Sequence, residues 1–428
     1  MTTSPTLASG TPMPSWPSAG EAEELSRPLS DPLPELLDRW LAAHGADLVA
    51  VRRHIHANPE LSGEEHGTAE YLAARLAAAG LTPRFLPKGN GVLCDIGPDN
   101  EGQMVALRAD LDALPLPDVK DVPYRSTVEG VCHACGHDVH ATVVLGAGLV
   151  LANLAEQGRL PGRVRLVFQP SEERFPSGAP EVIEAGGLEG VSAIFALHCD
   201  PRLPAGLVGV RSGPLTAAAD QLEVRLTGRG GHTARPHLTA DVVHALGRVV
   251  VDLPALLSRR VDPRAGLSVV FGAIHAGQAP NAIPQEGIAR GTVRVLDRTA
   301  WREVPELVTQ LVDDVVAATG AQAEVAYTRG VPPVVNDRMA TAILAGAAAA
   351  ALGRDHVVET PISMGGEDFA WYQEHVPGAM ARLGVGRPGE ALDLHQGGFD
   401  VDERAIGYGV RVMVHTALGA LDTSFPSH

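Results

Sequence analysis

The chain has 428 residues, of which 45% are apolar and 20% charged, and its formal net charge is −17. This composition is typical of a globular protein with room for about two domains. The negative charge argues against a nucleic-acid-binding surface and against a polybasic membrane-surface protein. We expect no transmembrane helix, because no uninterrupted apolar stretch approaches the necessary length. Four cysteines in so long a chain do not make a disulfide framework, so we expect a reducing, cytoplasmic location.

The first part of the chain predicts a tail followed by two helices. Residues 1–35 are rich in proline, serine and threonine and lack the apolar run of a signal peptide, so we expect a disordered tail. From Leu36 the apolar residues follow a period near 3.6, which predicts a helix as far as the Asn58-Pro59 stop. A second helix is predicted over about 64–79.

The central part alternates between short apolar strands and helices. Strands are predicted at 104–107, 164–168 and 193–197, with helices near 139–155 and 179–186. This alternation predicts an α/β sheet covered on both faces.

The interval from about 215 to 328 has a different pattern. Its predicted elements follow the order β-α-β-β-α-β, which is typical of the split βαβ sandwich. We therefore predict a catalytic domain formed by 36–214 and 331–428, interrupted by a smaller α+β domain at 215–330. The last helix is predicted over about 403–421.

Polar side chains follow each of the three predicted central strands. Arg108, Asp110 and Asp112 come after the first, Glu172 and Glu173 after the second, and His198 after the third. Open α/β sheets bind ligands beyond the carboxyl ends of their strands. The sequence therefore predicts a functional site at this edge of the sheet.

The segment Val131–His140 is the densest cluster of ligand-type residues. It reads V-C-H-A-C-G-H-D-V-H and permits four interpretations: an incidental polar loop, a Cys132/Cys135 redox pair, half of a structural zinc site, or a metal-binding loop. In the last interpretation Cys135 and His137 approach the metal together.

Glu172 and Glu173 are adjacent carboxylates directly beyond a strand. Side chains of adjacent residues in extended backbone point in opposite directions. One glutamate can therefore bind metal while the other accepts a proton from the attacking water. His198 and His395, beside glycine- and proline-rich turns, complete a plausible ligand set.

Five motifs together resemble the M20 metallopeptidase superfamily, and within it the amidohydrolase branch of hippurate hydrolases, N-acyl-amino-acid amidohydrolases and auxin-conjugate hydrolases. The motifs are R-H-I-H-A-N-P-E-L at 53–61, R-A-D-L-D-A-L-P at 108–115, H-A-C-G-H-D at 133–138, F-Q-P-S-E-E at 168–173 and G-E-D-F at 366–369. The resemblance runs from about residue 36 to 421. Cys132 departs from it, because the family usually has methionine there.

The resemblance implies a two-domain, mixed-sheet metallohydrolase whose inserted domain serves as a lid or dimerisation domain. It implies two divalent metal ions per subunit, manganese first and zinc, nickel or cobalt otherwise, with the ligands Cys135, His137, Glu173, His198 and His395. It makes Glu172 the general base and Asp110 the carboxylate that orients a metal-binding histidine.

The inserted domain carries the remaining residues that the resemblance assigns. His232, in the G-G-H-T-A motif at 230–234, is expected to reach the active site of a partner subunit and to stabilise the oxyanion. Asn281 and Arg294 are expected to hold the substrate carboxylate. A homodimer or higher homo-oligomer follows.

The expected function is therefore metal-dependent cleavage of N-acyl amino acids, of hippurate, N-acetyl or indole-acetyl type, into a carboxylic acid and a free amino acid. The alternatives are a dipeptidase or aminoacylase of the same superfamily, a catalytically silent metal-binding protein, and a redox dithiol protein. The expected partner is the small-molecule substrate, with no nucleic acid and no membrane.

Overall fold

The computed structural model describes residues 32–98, 102–387, 389 and 392–425. In chain order the helices are α1 (Leu33–Ala57), α2 (His66–Ala78), α3 (His137–Glu156), α4 (Ala179–Glu184), α5 (Val242–Arg260), α6 (Arg298–Ala317), α7 (Arg338–Leu352), α8 (Phe369–Tyr372) and α9 (Arg404–Leu421). The strands are β1 (Arg84–Phe85), β2 (Val92–Ile96), β3 (Met104–Asp110), β4 (Arg163–Gln169), β5 (Val191–Pro204), β6 (Val208–Val210), β7 (Gly213–Pro214), β8 (Ala219–Thr227), β9 (Gly231–His232), β10 (Ser268–Ala276), β11 (Ala282–Ile283), β12 (Glu286–Arg294), β13 (Gln322–Val331), β14 (Val335–Asn336), β15 (Val357–Glu359) and β16 (Gly378–Gly386).

The larger sheet has the strand order β1-β2-β4-β3-β5-β16-β6-β15. Its central strands β4, β3, β5 and β16 are parallel, and antiparallel neighbours flank them, so the sheet is mixed. These central strands are buried along nearly their whole length, as expected for a sheet covered on both faces. Helices α1, α2, α3, α7 and α9 share a core with one face, and α4 and α8 cover the other.

Helix α3 packs at the centre of this core. Within the described residues it is the one helix long and apolar enough to span a bilayer, yet 89% of its most apolar 18-residue stretch is buried inside the fold. It contacts α1, α9 and the sheet, so interior packing accounts for its apolar composition.

The smaller sheet is antiparallel, in the order β10-β12-β8-β13. Helices α5 and α6 pack on it and form a separate core that includes Leu222, Val249 and Val312. The element order is the predicted β-α-β-β-α-β, with the short strands β9 and β11 added. This layer occupies the interval for which we predict an inserted domain at 215–330, and the division into domains stays a prediction.

Most predicted elements are present; the three central strands are longer than predicted, whereas helices α2 and α4 are shorter. The three predicted central strands are confirmed as β3, β4 and β5, and the predicted helices as α1 to α6 and α9. The predicted tail at 1–35 ends too late, because α1 begins at Leu33, with Pro32 ahead of its first turn. Residues 1–31 lie outside the described residues. The elements that were not predicted are helix α8, the bounds of α7, and strands β1, β2, β6, β7, β9, β11, β14, β15 and β16.

Candidate metal centre and active site

A cleft of about 580 Å³ lies at the carboxyl ends of the central strands. Its walls come from both sheets: Glu172 and His198 follow or lie on strands of the larger sheet, whereas Thr292 and Arg294 belong to the smaller one. The position beyond the strand ends is the one predicted from the sequence.

Four of the five predicted metal ligands line this cleft, and the fifth, His137, lies buried against Cys135 and His198. Cys135 Sγ lies 3.6 Å from His198 Nε2, and Glu173 Oε1 lies 3.1 Å from His395 Nε2 and 3.9 Å from His137 Nε2. Ligand atoms of Cys135, His137 and His198 form one compact group, and those of Cys135, Glu173 and His395 form another. Two groups that share Cys135 suit a pair of metal ions with a thiolate between them.

Hydrogen bonds fix which nitrogen of each buried histidine faces the centre. His137 Nδ1 lies 2.9 Å from the Asp112 backbone oxygen and 3.1 Å from Asp112 Oδ1. His198 Nδ1 lies 2.8 Å from the Cys199 backbone oxygen. A ring nitrogen that donates to oxygen leaves the other nitrogen unprotonated and available to a metal. His137 Nε2 is buried without a hydrogen-bond partner among the described residues, so the side chains present fit a metal centre.

Asp112 is the carboxylate within hydrogen-bond distance of His137 Nδ1. The assignment of Asp110 as the carboxylate that orients a metal-binding histidine stays a prediction. Asp110 Oδ2 does lie 3.7 Å from His137 Nε2, but its hydrogen bonds go to Arg108 Nη1 at 2.6 Å and His140 Nδ1 at 2.6 Å. Asp112 also accepts from the backbone nitrogen of Glu173 at 2.8 Å. One carboxylate thus positions two predicted ligands.

Glu172 lies beside the predicted ligands, in an acidic environment. The Glu172 carboxylate lies close to the carboxylates of Glu367 and Asp368. It also lies close to the ligand atoms of His137 and Glu173. Desolvation, followed by the charge of Glu367, raises the pKa of Glu172 well above its ordinary value. A carboxyl with an elevated pKa can take up a proton near neutral pH and return it, as a general base in hydrolysis must.

Two non-glycine residues in the described chain have positive φ, and both border this centre. They are His395, at 60°, and Ser171, at 56°, directly before Glu172. This conformation is unfavourable for residues with a Cβ and persists where surrounding contacts enforce it. The His395 backbone nitrogen donates to the Ala134 oxygen at 2.8 Å, and the Ser171 nitrogen to Glu65 Oε1 at 2.7 Å.

The chemistry of Cys132 is unlike that of a redox thiol. Cys132 and Cys135 are both free and buried, and burial raises the pKa of Cys132 to about 11. Because a reactive thiol needs a depressed pKa and access to solvent, the structure argues against the redox-pair interpretation.

The structure brings Arg294 into the cleft but leaves His232 and Asn281 outside it. His232 and Asn281 are exposed and lie together, because β9 pairs with β11 and the Thr233 nitrogen donates to the Asn281 oxygen. The Ala234 nitrogen donates to His232 Nδ1 at 3.0 Å, which leaves the proton of a neutral ring on Nε2.

Arg382, on the cleft wall, was missed by the sequence analysis. It lies in β16, a strand that was not predicted, and its residue is 8% exposed. The sequence feature that could have identified Arg382 is its position as the one charged residue in the otherwise apolar run Ala379–Val385. A buried charge in an apolar strand needs a specific reason.

Residues 106–419 match the model of peptidase family M20/M25/M40. The chain is 37% identical over 377 residues to the N-acetyl-L-cysteine deacetylase of Bacillus subtilis, covering 88% of this chain and 89% of that protein. Among solved structures, a Bacillus subtilis protein described as a dinuclear metal-binding peptidase of family M20 superposes with a TM-score of 0.78 at 33% identity, covering 90% of this chain and 100% of that one.

A longer relative shares 49% identity over 368 residues. It is a Rhodococcus jostii protein whose name describes it as a candidate glutamate–cysteine ligase. The match covers 86% of this chain but 46% of that protein, so the chain spans about half of its length.

Proposed function

The chain belongs to peptidase family M20/M25/M40 and is a hydrolase, and from this premise we propose that it cleaves the amide bond of N-acyl amino acids, giving a carboxylic acid and a free amino acid. The observation that carries the proposal is the convergence of five ligand-type side chains at the cleft, four on its wall and His137 directly behind them, with Glu172 beside them.

We assign the five converging residues as ligands of two divalent metal ions, of which manganese is our first choice and zinc, nickel or cobalt the others. Mixed thiolate, imidazole and carboxylate donors suit all of these ions. When bound, such ions polarise a carbonyl group and lower the pKa of a water molecule. Asp112 and the Cys199 carbonyl hold the two buried histidine ligands in place.

Glu172 is the proposed general base. Its raised pKa and its position next to Glu173 allow it to accept a proton from the attacking water and to deliver that proton to the leaving amine. Arg108 holds the neighbouring carboxylates, through Asp368 at 2.7 Å and Glu367 at 3.2 Å.

Arg294 is the proposed partner of the substrate α-carboxylate, because it is half-buried on the cleft wall of the smaller sheet. His232 and Asn281 are proposed to act in a partner subunit, since both are exposed at one tip of the same layer. The Nε2–H of His232 is a suitable donor for an oxyanion, and such donors contribute about 2.7–4 kcal/mol to transition-state stabilisation. A homodimer is part of this proposal.

The acyl group is proposed to be small or flat, of acetyl, benzoyl or indole-acetyl type. The named activity of the Bacillus subtilis deacetylase supports removal of an acetyl group, and the cleft of about 580 Å³ accommodates larger groups. We also propose a cytoplasmic location, which the four free cysteines support.

The experiment is amino-acid release from a panel of N-acyl amino acids and free dipeptides, with the metal-loaded protein and after chelation. Metal-dependent release from the N-acyl compounds supports the proposal. Release from the dipeptides alone would replace it with a dipeptidase.

A further inference from the structure

Two arginine side chains in the cleft lack partners. Neither Arg382 nor Arg294 makes a hydrogen bond or an ion pair through its guanidinium with any residue in the described part of the chain. Arg294 is half-buried, whereas Arg382 is 8% exposed. Because a buried charge is costly unless it is paired, Arg382 needs an explanation.

Two other buried arginines of the same fold are paired with carboxylates. Arg52 binds Asp138 at 2.6 Å and Asp400 at 2.9 Å. Arg108 binds Asp110 at 2.6 Å and also pairs with Asp368 and Glu367. The fold therefore supplies carboxylates where a buried guanidinium has a structural role, and it supplies none to Arg382.

The carboxylates nearest to Arg382 are already engaged by other arginines. Glu367 is held by Arg108 at 3.2 Å, and Asp200 is held by Arg202 through contacts of 2.9 and 3.0 Å. Burial lowers the pKa of Arg382, and the charges of Glu367 and Asp200 offset that effect only in part. The guanidinium therefore lacks a directly paired carboxylate, and its donors stay free for a ligand.

Arg382 is placed beside the candidate metal centre. It pairs in register with His198 on the neighbouring parallel strand β5, so the two side chains leave the same face of the sheet. A guanidinium at this position offers a planar pair of donors, which matches a carboxylate.

We propose that Arg382 binds a second carboxylate of the substrate, so that the enzyme prefers N-acyl amino acids with two negative charges to those with one. The inference rests on the proposed function, in which Arg294 takes the α-carboxylate. The second carboxylate belongs either to the acyl half, as in an N-succinyl amino acid, or to the amino-acid side chain, as in an N-acyl glutamate.

The test compares dianionic substrates with neutral isosteres of the same shape. N-succinylalanine is measured against N-succinamoylalanine, and N-acetylglutamate against N-acetylglutamine, with N-acetylalanine as the common reference. We expect wild-type kcat/KM to favour one dianionic member over its isostere about ten-fold or more, mainly through KM. The pair that shows the preference identifies the half that carries the second carboxylate.

Arg382→Gln should abolish this preference, by lowering kcat/KM for the preferred dianionic substrate at least about ten-fold more than kcat/KM for N-acetylalanine. Arg174→Gln is the matched control, because Arg174 lines the same cleft, is exposed, and donates to the Ser62 backbone oxygen at 3.3 Å instead of holding a carboxylate near Arg382. That variant should keep the preference.

The proposal is overturned if wild type shows no dianionic preference, if Arg382→Gln retains it, or if Arg382→Gln slows every substrate equally. If Arg382→Gln does not fold, the wild-type enzyme is tested instead with competitive inhibitors. Succinate or glutarate, with two carboxylates, should inhibit more strongly than butyrate, which has one. Equal inhibition constants for the two kinds of compound would overturn the proposal. Failure of wild type to cleave any N-acyl amino acid, by contrast, refutes the proposed function itself.

Discussion

Asp112 controls the position of two proposed metal ligands, and its removal gives a direct prediction. Asp112 Oδ1 lies 3.1 Å from His137 Nδ1, and Oδ2 accepts from the Glu173 nitrogen at 2.8 Å and from Ser62 Oγ at 2.6 Å. Asp112→Ala removes all three contacts. The Asp112 backbone oxygen, 2.9 Å from His137 Nδ1, remains and preserves part of the ring's orientation.

We expect Asp112→Ala to weaken divalent-metal affinity about 10- to 100-fold, the usual effect of losing a carboxylate that orients a histidine ligand. That corresponds to about 1.4–2.7 kcal/mol. The free energy of unfolding of the metal-free protein should also fall, by about 1–3 kcal/mol for each buried donor left without a partner.

The assay is calorimetric titration of metal-stripped protein with Mn²⁺, or competition with a chelator of known affinity. Ser62→Ala is the control, because it removes one hydrogen bond of Asp112 and leaves the contacts with His137 and Glu173 in place. Its metal affinity should change less than about three-fold. Wild-type affinity in folded Asp112→Ala would refute the assignment of Asp112 and weaken that of His137.

Three further predictions concern catalysis, pH dependence and packing. Glu172→Gln should lower kcat about 10²- to 10⁴-fold while calorimetry shows unchanged metal binding, and near-normal turnover would contradict its role as base. Burial raises the pKa of Glu65 to about 7, so the folded state binds this proton more tightly than the unfolded state and stability falls as pH rises from about 4.5 to 7. Chemical denaturation across this range should show Glu65→Gln losing less stability than wild type, by up to about 3 kcal/mol, and parallel curves would refute the prediction. Gly148→Ala should destabilise the fold by up to about 2 kcal/mol net, because the added Cβ would lie 2.3 Å from Leu166 Cδ1. Gly247→Ala is the control: its Cβ would have no atom within 4 Å, so it should stabilise α5 by up to about 1 kcal/mol. Equal shifts in the melting temperatures of the two variants would contradict this reasoning.

The architecture was largely predictable because its strong signals are local. Apolar runs such as Val164–Phe168 predicted strands, and the β-α-β-β-α-β order predicted the second sheet. Strand β16 was missed because five of its nine residues are glycine or alanine, which are depleted in strands, so its sequence has low strand propensity although it is buried. Because this strand was not predicted, Arg382 was not recognised as a residue of the cleft wall.

The sequence predicted which residues form the candidate metal centre, but it did not predict the hydrogen bonds between them. The five proposed ligands follow separate strands or loops, and their convergence follows from the rule that carboxyl ends of parallel strands share an edge. Asp110 and Asp112 stand two residues apart, and the sequence contains nothing that decides which one reaches His137 Nδ1. The pairing of β9 with β11, which joins His232 to Asn281, is likewise a tertiary contact between distant segments.

The most direct test of this cleft as a metal-dependent active site is amino-acid release from N-acetyl, N-benzoyl and indole-acetyl amino acids by metal-stripped protein before and after addition of Mn²⁺. We expect no release before addition, release after it, and loss of release in Glu172→Gln at full metal occupancy. Release that is equal with and without metal, or that survives in Glu172→Gln, would contradict the assignment of this cleft as the active site.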